Sequence, residues 1–211
     1  MGGKRPQKEI RVLNDIVEAY GLHDLPELLC AYSQHTLAEG EKLDRDVQCL
    51  LWYPAELFSF LRVPVARFQG EDGHVMHTVR STGPKNYRGG SARNDWVWIC
   101  MGNKKLYKGL RGRLPARVLA LFKLRHPSIP KTYKLAMIDL LTAGPRGGEP
   151  DPISGLITVS RGPQTASRRR VVDIGCILGI AHLIPESGEE DDNKWLVNNR
   201  IDLDIYNTIY Y

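Results

Sequence analysis

The stretch from Leu114 to Pro185 limits the fold more than any other. It runs LPARVLALFKLR (114–125), YKLAMIDLLTAG (133–144), SGLITVSR (154–161) and RRRVVDIGCILGIAHLIPE (168–186). Each segment is a short apolar run closed by a turn rich in Gly, Pro or Ser. The stretch therefore reads as four or five β-strands in series, the core of a small antiparallel sheet or barrel.

The residues before it supply two further kinds of element. Ile10, Leu13, Ile16, Val17 and Tyr20 recur at helical spacing, which predicts an amphipathic helix over 6–20 with Gly21 as its stop. A second helix is expected from Asp24, an N-cap followed by Pro26 in the first turn and by Glu27 at the capping-box position. Together they form an N-terminal helical hairpin, a strut that packs on the sheet. Residues 38–50 are polar and acidic and read as a linker or a frayed helix. FSFLRVPVARFQ (58–69) reads as an edge strand, because Pro64 removes a ladder donor. HVMHTVR (74–80) is its hairpin partner across a turn at 70–73. DWVWICM (95–101) is a further strand, dense in aromatic and β-branched residues. Near the other end, 175–180 reads as a turn or one helical turn, and 181–185 as the last strand. In the tail from Trp195, a short helix is preferred over a strand.

Charge is distributed in blocks. The net charge is +5. Residues 1–79 hold 8 Lys/Arg and 12 Asp/Glu, net −4; 80–125 hold 12 and 1, net +11; 126–211 hold 9 and 11, net −2. A local positive patch describes the chain better than a uniformly basic surface. Two Gly-rich basic loops (81–93 and 102–113), each with one tyrosine, flank the 95–101 strand and are expected at one end of the sheet. Lys85, Arg88, Arg93, Lys104, Lys105, Lys108, Arg111, Arg113, Arg117, Lys123 and Arg125 are the candidate phosphate contacts, and Tyr87 and Tyr107 the candidate base-stacking residues. Arg168, Arg169 and Arg170 join them if their loop is adjacent. Arg117, Lys123 and Arg125 share parity in one strand, which predicts one common face.

Motifs for catalysis are missing. No phosphate-binding glycine loop, nucleophile elbow or H-E-x-x-H stands in the sequence. His74 and His77 face opposite sides of a strand and make no metal site. Asp139, Glu149, Asp151 and Asp173 do not form the convergent carboxylate set of a two-metal site, since two lie in strands and two in a turn. Cys30, Cys49, Cys100 and Cys176 contain no C-x-x-C pair and are expected as free thiols, with Cys100 and Cys176 buried in apolar surroundings. His182 is expected as a packed structural residue. The N-terminus MGGKRPQKEIR has no apolar stretch after it and Pro6 spoils a myristoylation motif, so neither a secretory leader nor a lipid anchor is expected. The apolar runs are too short to span a bilayer.

From about residue 55 onward the order of segments resembles the C-terminal region of proteins encoded by fungal DNA transposons of the Plavaka and Kyakuja-Dileera-Zisupton groups, related to CACTA elements. The resemblance is carried by Arg117, Val118 and Leu119, by Asp151, Gly155, Leu156 and Val159, and by Ile174, Leu178, Ala181, His182, Leu183, Ile184 and Pro185. It implies a nuclear setting and contacts with DNA, or with other transposon-encoded or host nuclear proteins. The catalytic core of those elements lies upstream of the region matched here, so its acidic residues have no counterpart in this chain.

The expected architecture is mainly β (α+β): about seven or eight antiparallel strands in a barrel or sandwich, with helical hairpin and linker in 1–50 and the β-domain, ending in a short helix or strand, in 51–211. The expected function is a non-catalytic accessory module of a transposon-derived protein that binds DNA through its basic face, with no cofactor and no metal. The alternative is a protein-interaction or structural β-domain with no nucleic-acid affinity.

Overall fold

The computed structural model describes residues 12–66, 73–83, 92–100, 110, 112–143, 150–162, 168–186 and 193–197. Three helices open the chain: α1 (Leu13–Tyr20), α2 (Leu25–Thr36) and α3 (Val47–Leu50). Strands follow: β1 (Ala55–Phe58), β2 (Phe60–Ala66), β3 (His74–Thr82), β4 (Arg93–Asn94), β5 (Trp96–Cys100), β6 (Arg113–Arg125), β7 (Thr132–Leu140), β8 (Thr142–Ala143), β9 (Ile157–Ser160), β10 (Arg169–Asp173), β11 (Ile177–Ile180), β12 (Leu183–Pro185) and β13 (Lys194–Val197). They exceed the seven or eight expected because corners divide single apolar runs, as where 133–143 splits into β7 and β8 after Leu140.

All pairings among these strands are antiparallel, and they build three sheets. The largest has the order β10-β7-β6-β5-β11, with β1 also on β6. The second has the order β12-β13-β9-β8 and the third β2-β3-β4. The fold is thus mainly β with a helical layer, as the sequence predicts, and the largest sheet is an open path from β10 to β11. The hairpin of β6 and β7 pairs Arg125 with Thr132 and runs to Ala116 opposite Leu140. That of β2 and β3 pairs Phe60 with Arg80 through to Ala66 with His74, passing unbroken through Pro64. Among the described residues no helix is long and apolar enough to cross a membrane.

β6 lies at the centre of the largest sheet and carries a register irregularity; a second one falls between Ile177 and Gly179 in the β5–β11 pairing. The register of β6 with β7 shifts between Val118 and Ala120, so Leu119 is an extra residue, a β-bulge. Before the bulge Leu114, Ala116 and Val118 enter one apolar cluster, with Val97, Ile99 and Ile138. After it the inward set changes. Ala120, Phe122 and Leu124 join a second cluster with Leu13, Ile16, Leu25 and Leu29 of the helices, while Leu121 stays with the first. One strand thus feeds a core on each side, the helices closing one and the β2–β3 hairpin contributing Val63 and Val79 to the other. The bulge is held by a hydrogen bond: the Ser81 hydroxyl, fully buried, donates to the Leu119 carbonyl at 2.9 Å.

Other local departures have local causes. α1 ends where expected, at Gly21 with φ 63°, a left-handed conformation glycine adopts without a Cβ clash. Asp24 does not cap α2; it sits in helical backbone (φ −86°, ψ −3°), and its Oδ1 accepts from Arg169 Nη1 at 2.9 Å instead. The 38–50 segment is more than a linker. A 3₁₀ turn (Glu39–Glu41) leads to α3, which Asp46 caps by accepting from the Gln48 amide at 2.9 Å. Residues 177–180 form β11 after a 3₁₀ turn (Ile174–Cys176), rather than a turn throughout. The preference for a tail helix fails over Lys194–Val197, which is β13: Trp195 and Val197 alternate into the core while pairing with Val159 and Ile157. The rest of the tail lies outside the described residues. Cys100, the last residue of β5, is exposed, and Cys176 is half-buried. His77 is structural: its Nδ1 accepts the Ile180 amide at 3.3 Å, close to Gly179, where a Cβ would meet Val65 and His77 at 3.1 and 3.2 Å.

Two outcomes follow from this packing. Ser81→Ala removes the fully buried hydroxyl that donates to the Leu119 carbonyl, so stability should fall by about 1–3 kcal/mol in urea titration; an unchanged midpoint would show that the bulge does not need the hydroxyl. The second concerns alkali. Burial, and then Asp173, push the Tyr32 phenol up to about 12 from an ordinary value of 10.0. Burial also raises Tyr20, Tyr53 and Tyr133, the last donating its hydroxyl to the Glu41 carbonyl at 2.6 Å. The unfolded chain ionises a tyrosine phenol near 10, so the stability that Tyr32 contributes is whole below pH 10 and is lost as pH climbs through about 12. Tyrosinate absorbance should rise together with unfolding in that window, and Tyr32→Phe should flatten the loss.

Candidate nucleic-acid interface

The described members of the positive block of 80–125 do not share one surface. Of its candidate residues, Lys85, Tyr87, Arg88, Lys104, Lys105, Tyr107, Lys108 and Arg111 lie outside the described residues, and with them most of the two basic loops. Arg93 in β4 places Nε 3.3 Å from Asp95 Oδ1, and Arg80 reaches the same carboxylate at 3.9 Å. Arg113 begins β6, opposite Cys100.

Arg117 does not share a face with Lys123 and Arg125. The extra residue at 119 reverses parity along β6, so three same-parity positions divide between the two sides of the sheet. Arg117 stands in a cross-strand row between Trp96 and Asp139. Its guanidinium lies over the Trp96 ring at 5.8 Å, Trp96 packs on Trp195 at 5.3 Å, and Arg161 lies over Trp195 at 5.2 Å. This Arg–Trp–Trp–Arg ladder joins the largest sheet to the second one. Trp195 within it is buried, so that ring is not free to stack on a base. The three arginines of 168–170 also diverge. Arg168 Nε is 3.6 Å from Asp139 Oδ1, Arg169 is tied to Asp24, and Arg170 is exposed opposite Ile138.

Lys123 and Arg125 stand in a different setting. They line a groove of about 460 Å³ at the turn end of the β6–β7 hairpin, with His126, Ile129, Pro130, Lys131, Thr132 and Lys134. Register places Lys123 directly opposite Lys134, a like-charge pair on neighbouring strands. On the far side of β6, Glu56 of β1 stands opposite Lys123, accepts a hydrogen bond from Arg125 Nη2 at 2.5 Å and forms an ion pair with Lys123 Nζ at 3.7 Å. Lys123 Nζ also lies 4.7 Å from the centre of the Phe58 ring. Lys131 makes an ion pair with Glu41 and lies over the Tyr133 ring at 5.6 Å. Lys134 is exposed and has no ion pair among the described residues. Four cations therefore face two carboxylates.

His126 is fixed rather than free. Its Nδ1 accepts from the Ser128 amide at 3.1 Å, so Nε2 carries the proton and donates to the Lys42 carbonyl at 3.2 Å, with Tyr53 edge-on at 5.9 Å. It anchors the hairpin to the helical layer.

Lys131, Lys134 and His126 are the residues that a charge count along the chain misses, since the positive block ends at Arg125. The signal was present in the hairpin itself: a short turn between two strands must fold 131–134 back against 123–125.

Other chemistry has no constellation here. Among the described residues no three His, Cys, Asp or Glu side chains are grouped to hold a metal ion. Asp139 and Asp173, the two strand carboxylates, stand at opposite ends of the β7–β10 pairing, Asp139 opposite Arg169 and Asp173 opposite Leu135. Comparison of the chain with protein-family models, with curated proteins and with solved structures found no match.

Proposed function

We propose that the chain is a non-catalytic binding module that engages DNA through the turn end of the β6–β7 hairpin. The observation that carries this reading is the cross-strand pair Lys123–Lys134 inside a groove also lined by Arg125 and Lys131. Like charges set directly opposite on a sheet cost stability. A polyanion lying along the groove relieves that cost, and lysine and arginine side chains suit contacts with phosphates, which carry no sequence information. The resemblance to transposon-encoded proteins adds a nuclear setting and the class of partner. A second reading, a protein-interaction or structural β-domain without nucleic-acid affinity, is favoured by the ion pairs of Arg93, Arg168 and Arg169, which neutralise positive charge inside the chain.

Fluorescence anisotropy with duplex and single-stranded oligonucleotides over a salt series separates the two. Four phosphate contacts give a slope of log K against log salt of about −3.6 on duplex DNA. The triple variant Arg125→Ala, Lys131→Ala, Lys134→Ala should reduce that slope by about 2–3 and weaken all sequences alike. Arg168→Ala, outside the groove, should leave it unchanged. No binding at low salt removes the DNA reading. Binding that survives the triple variant but fails when Lys104, Lys105 and Arg111 are replaced moves it off the hairpin. Strand cleavage by the pure protein with Mg²⁺ or Mn²⁺ would replace a binding module by an enzyme.

A further inference from the structure

Cys100 and Cys176 lie far apart in sequence but at neighbouring positions in the largest sheet. β5 and β11 pair antiparallel with Ile99 opposite Ile177. Cys100, the last residue of β5, and Cys176, the last residue of the 3₁₀ turn before β11, each stand one residue beyond that pair. A disulfide between them requires Cα atoms about 4.4–6.8 Å apart. The two thiols differ in access: Cys100 is exposed and Cys176 half-buried. The other two cysteines are engaged elsewhere. Cys30 Sγ donates to the Asp44 and Arg45 carbonyls at 3.7 and 3.6 Å, and Cys49 Sγ to Asp46 Oδ2 at 3.5 Å.

We infer that Cys100 and Cys176 form an oxidisable dithiol, a redox modification site in which Cys100 is the attacking thiol and Cys176 the resolving one. The co-reactant is a small-molecule disulfide such as glutathione disulfide. The exposed Cys100 thiolate attacks one glutathione sulfur, forming a mixed disulfide and releasing one glutathione thiolate, which takes up the proton Cys100 lost. Cys176 then attacks Cys100 Sγ, displaces the second glutathione and closes the intramolecular bond. Two protein thiols are oxidised and one glutathione disulfide is reduced to two glutathiones. Access sets the order of attack. Burial, then Asp173 and Cys100, hold the Cys176 thiol above its ordinary range, which keeps it protonated and slow toward an outside oxidant and is consistent with the two sulfurs being close. The bond ties β11 to the end of β5, immediately before the basic sequence 102–113.

The test is incubation of the native protein with glutathione disulfide, alkylation of remaining thiols under denaturing conditions, and tryptic mapping. The expected product is a disulfide joining peptide 94–104, which holds Cys100, to peptide 171–194, which holds Cys176, with the whole protein lighter by about 2 Da. In Cys176→Ser the same treatment should stop at a stable glutathione adduct on Cys100, heavier by about 305 Da. An adduct that persists on Cys100 in the unaltered protein, or crosslinks that involve Cys30 or Cys49 instead, overturns the inference. So does simultaneous alkylation of both thiols after long exposure to the oxidant.

Discussion

The architecture depends on one extra residue in one strand. A strictly alternating 113–125 segment would present Leu114, Ala116, Val118, Ala120, Phe122 and Leu124 on a single face. The bulge at Leu119 divides that set, three residues to each side. Both halves of β6 are then buried, on opposite faces, and this is why a chain of 211 residues holds two apolar clusters rather than one. It also explains how one edge of β6 serves two partners: β5 pairs along 113–117 and β1 along 121–124, and the intervening backbone is where β3 delivers the Ser81 hydroxyl. A bulged strand bends and twists more than a regular one. That bend turns the helices and the β2–β3 hairpin to different sides of the sheet.

What sequence reasoning recovered and what it missed divide along this line. The β6–β7 and β2–β3 hairpins were legible because period-two patterning and turn residues act locally, and the helical hairpin because Ile16, Val17, Leu25 and Leu29 repeat at helical spacing. The bulge was illegible. In LPARVLALFKLR both faces are apolar, so no residue marks where alternation slips, and the parity argument for Arg117, Lys123 and Arg125 fails for that reason. β13 was missed because Trp195–Val197 is short and follows an acid-rich run, so only its pairing with β9 reveals a strand. Asp24 satisfies the pattern of an N-cap, but an arginine from a strand more than a hundred residues away claims its carboxylate. The candidate site was half legible. The positive block was located, yet tertiary structure gives its members different uses: Arg93 beside Asp95, Arg117 over an indole, Lys123 and Arg125 at a groove completed by Lys131 and Lys134.

Charge therefore does two jobs here that counting cannot separate. The arginines over Trp96 and Trp195 act through their flat guanidinium faces and help hold two sheets together. The lysines of the hairpin end are half-buried (Lys123, Lys131) or exposed (Lys134), and their ion pairs with Glu56 and Glu41 lie at the surface, where such pairs are worth at most about 1 kcal/mol. Residues of the second kind can be exchanged with small structural cost, so a partner's requirements can govern them.

The proline in β2 has a consequence of its own. β2 is the outer strand of its sheet, Pro64 is exposed, and Val75 and Met76 of the partner strand are 39% and 51% exposed. A flat outer strand beside exposed apolar side chains is a template on which a second chain can add a strand. The ladder toward β3 runs through Pro64 intact, so the amide that proline lacks is missing from the outward side. An incoming strand would find a gap in the row of donors midway along β2. The residue that marks this strand as an edge thus also guards it against self-association.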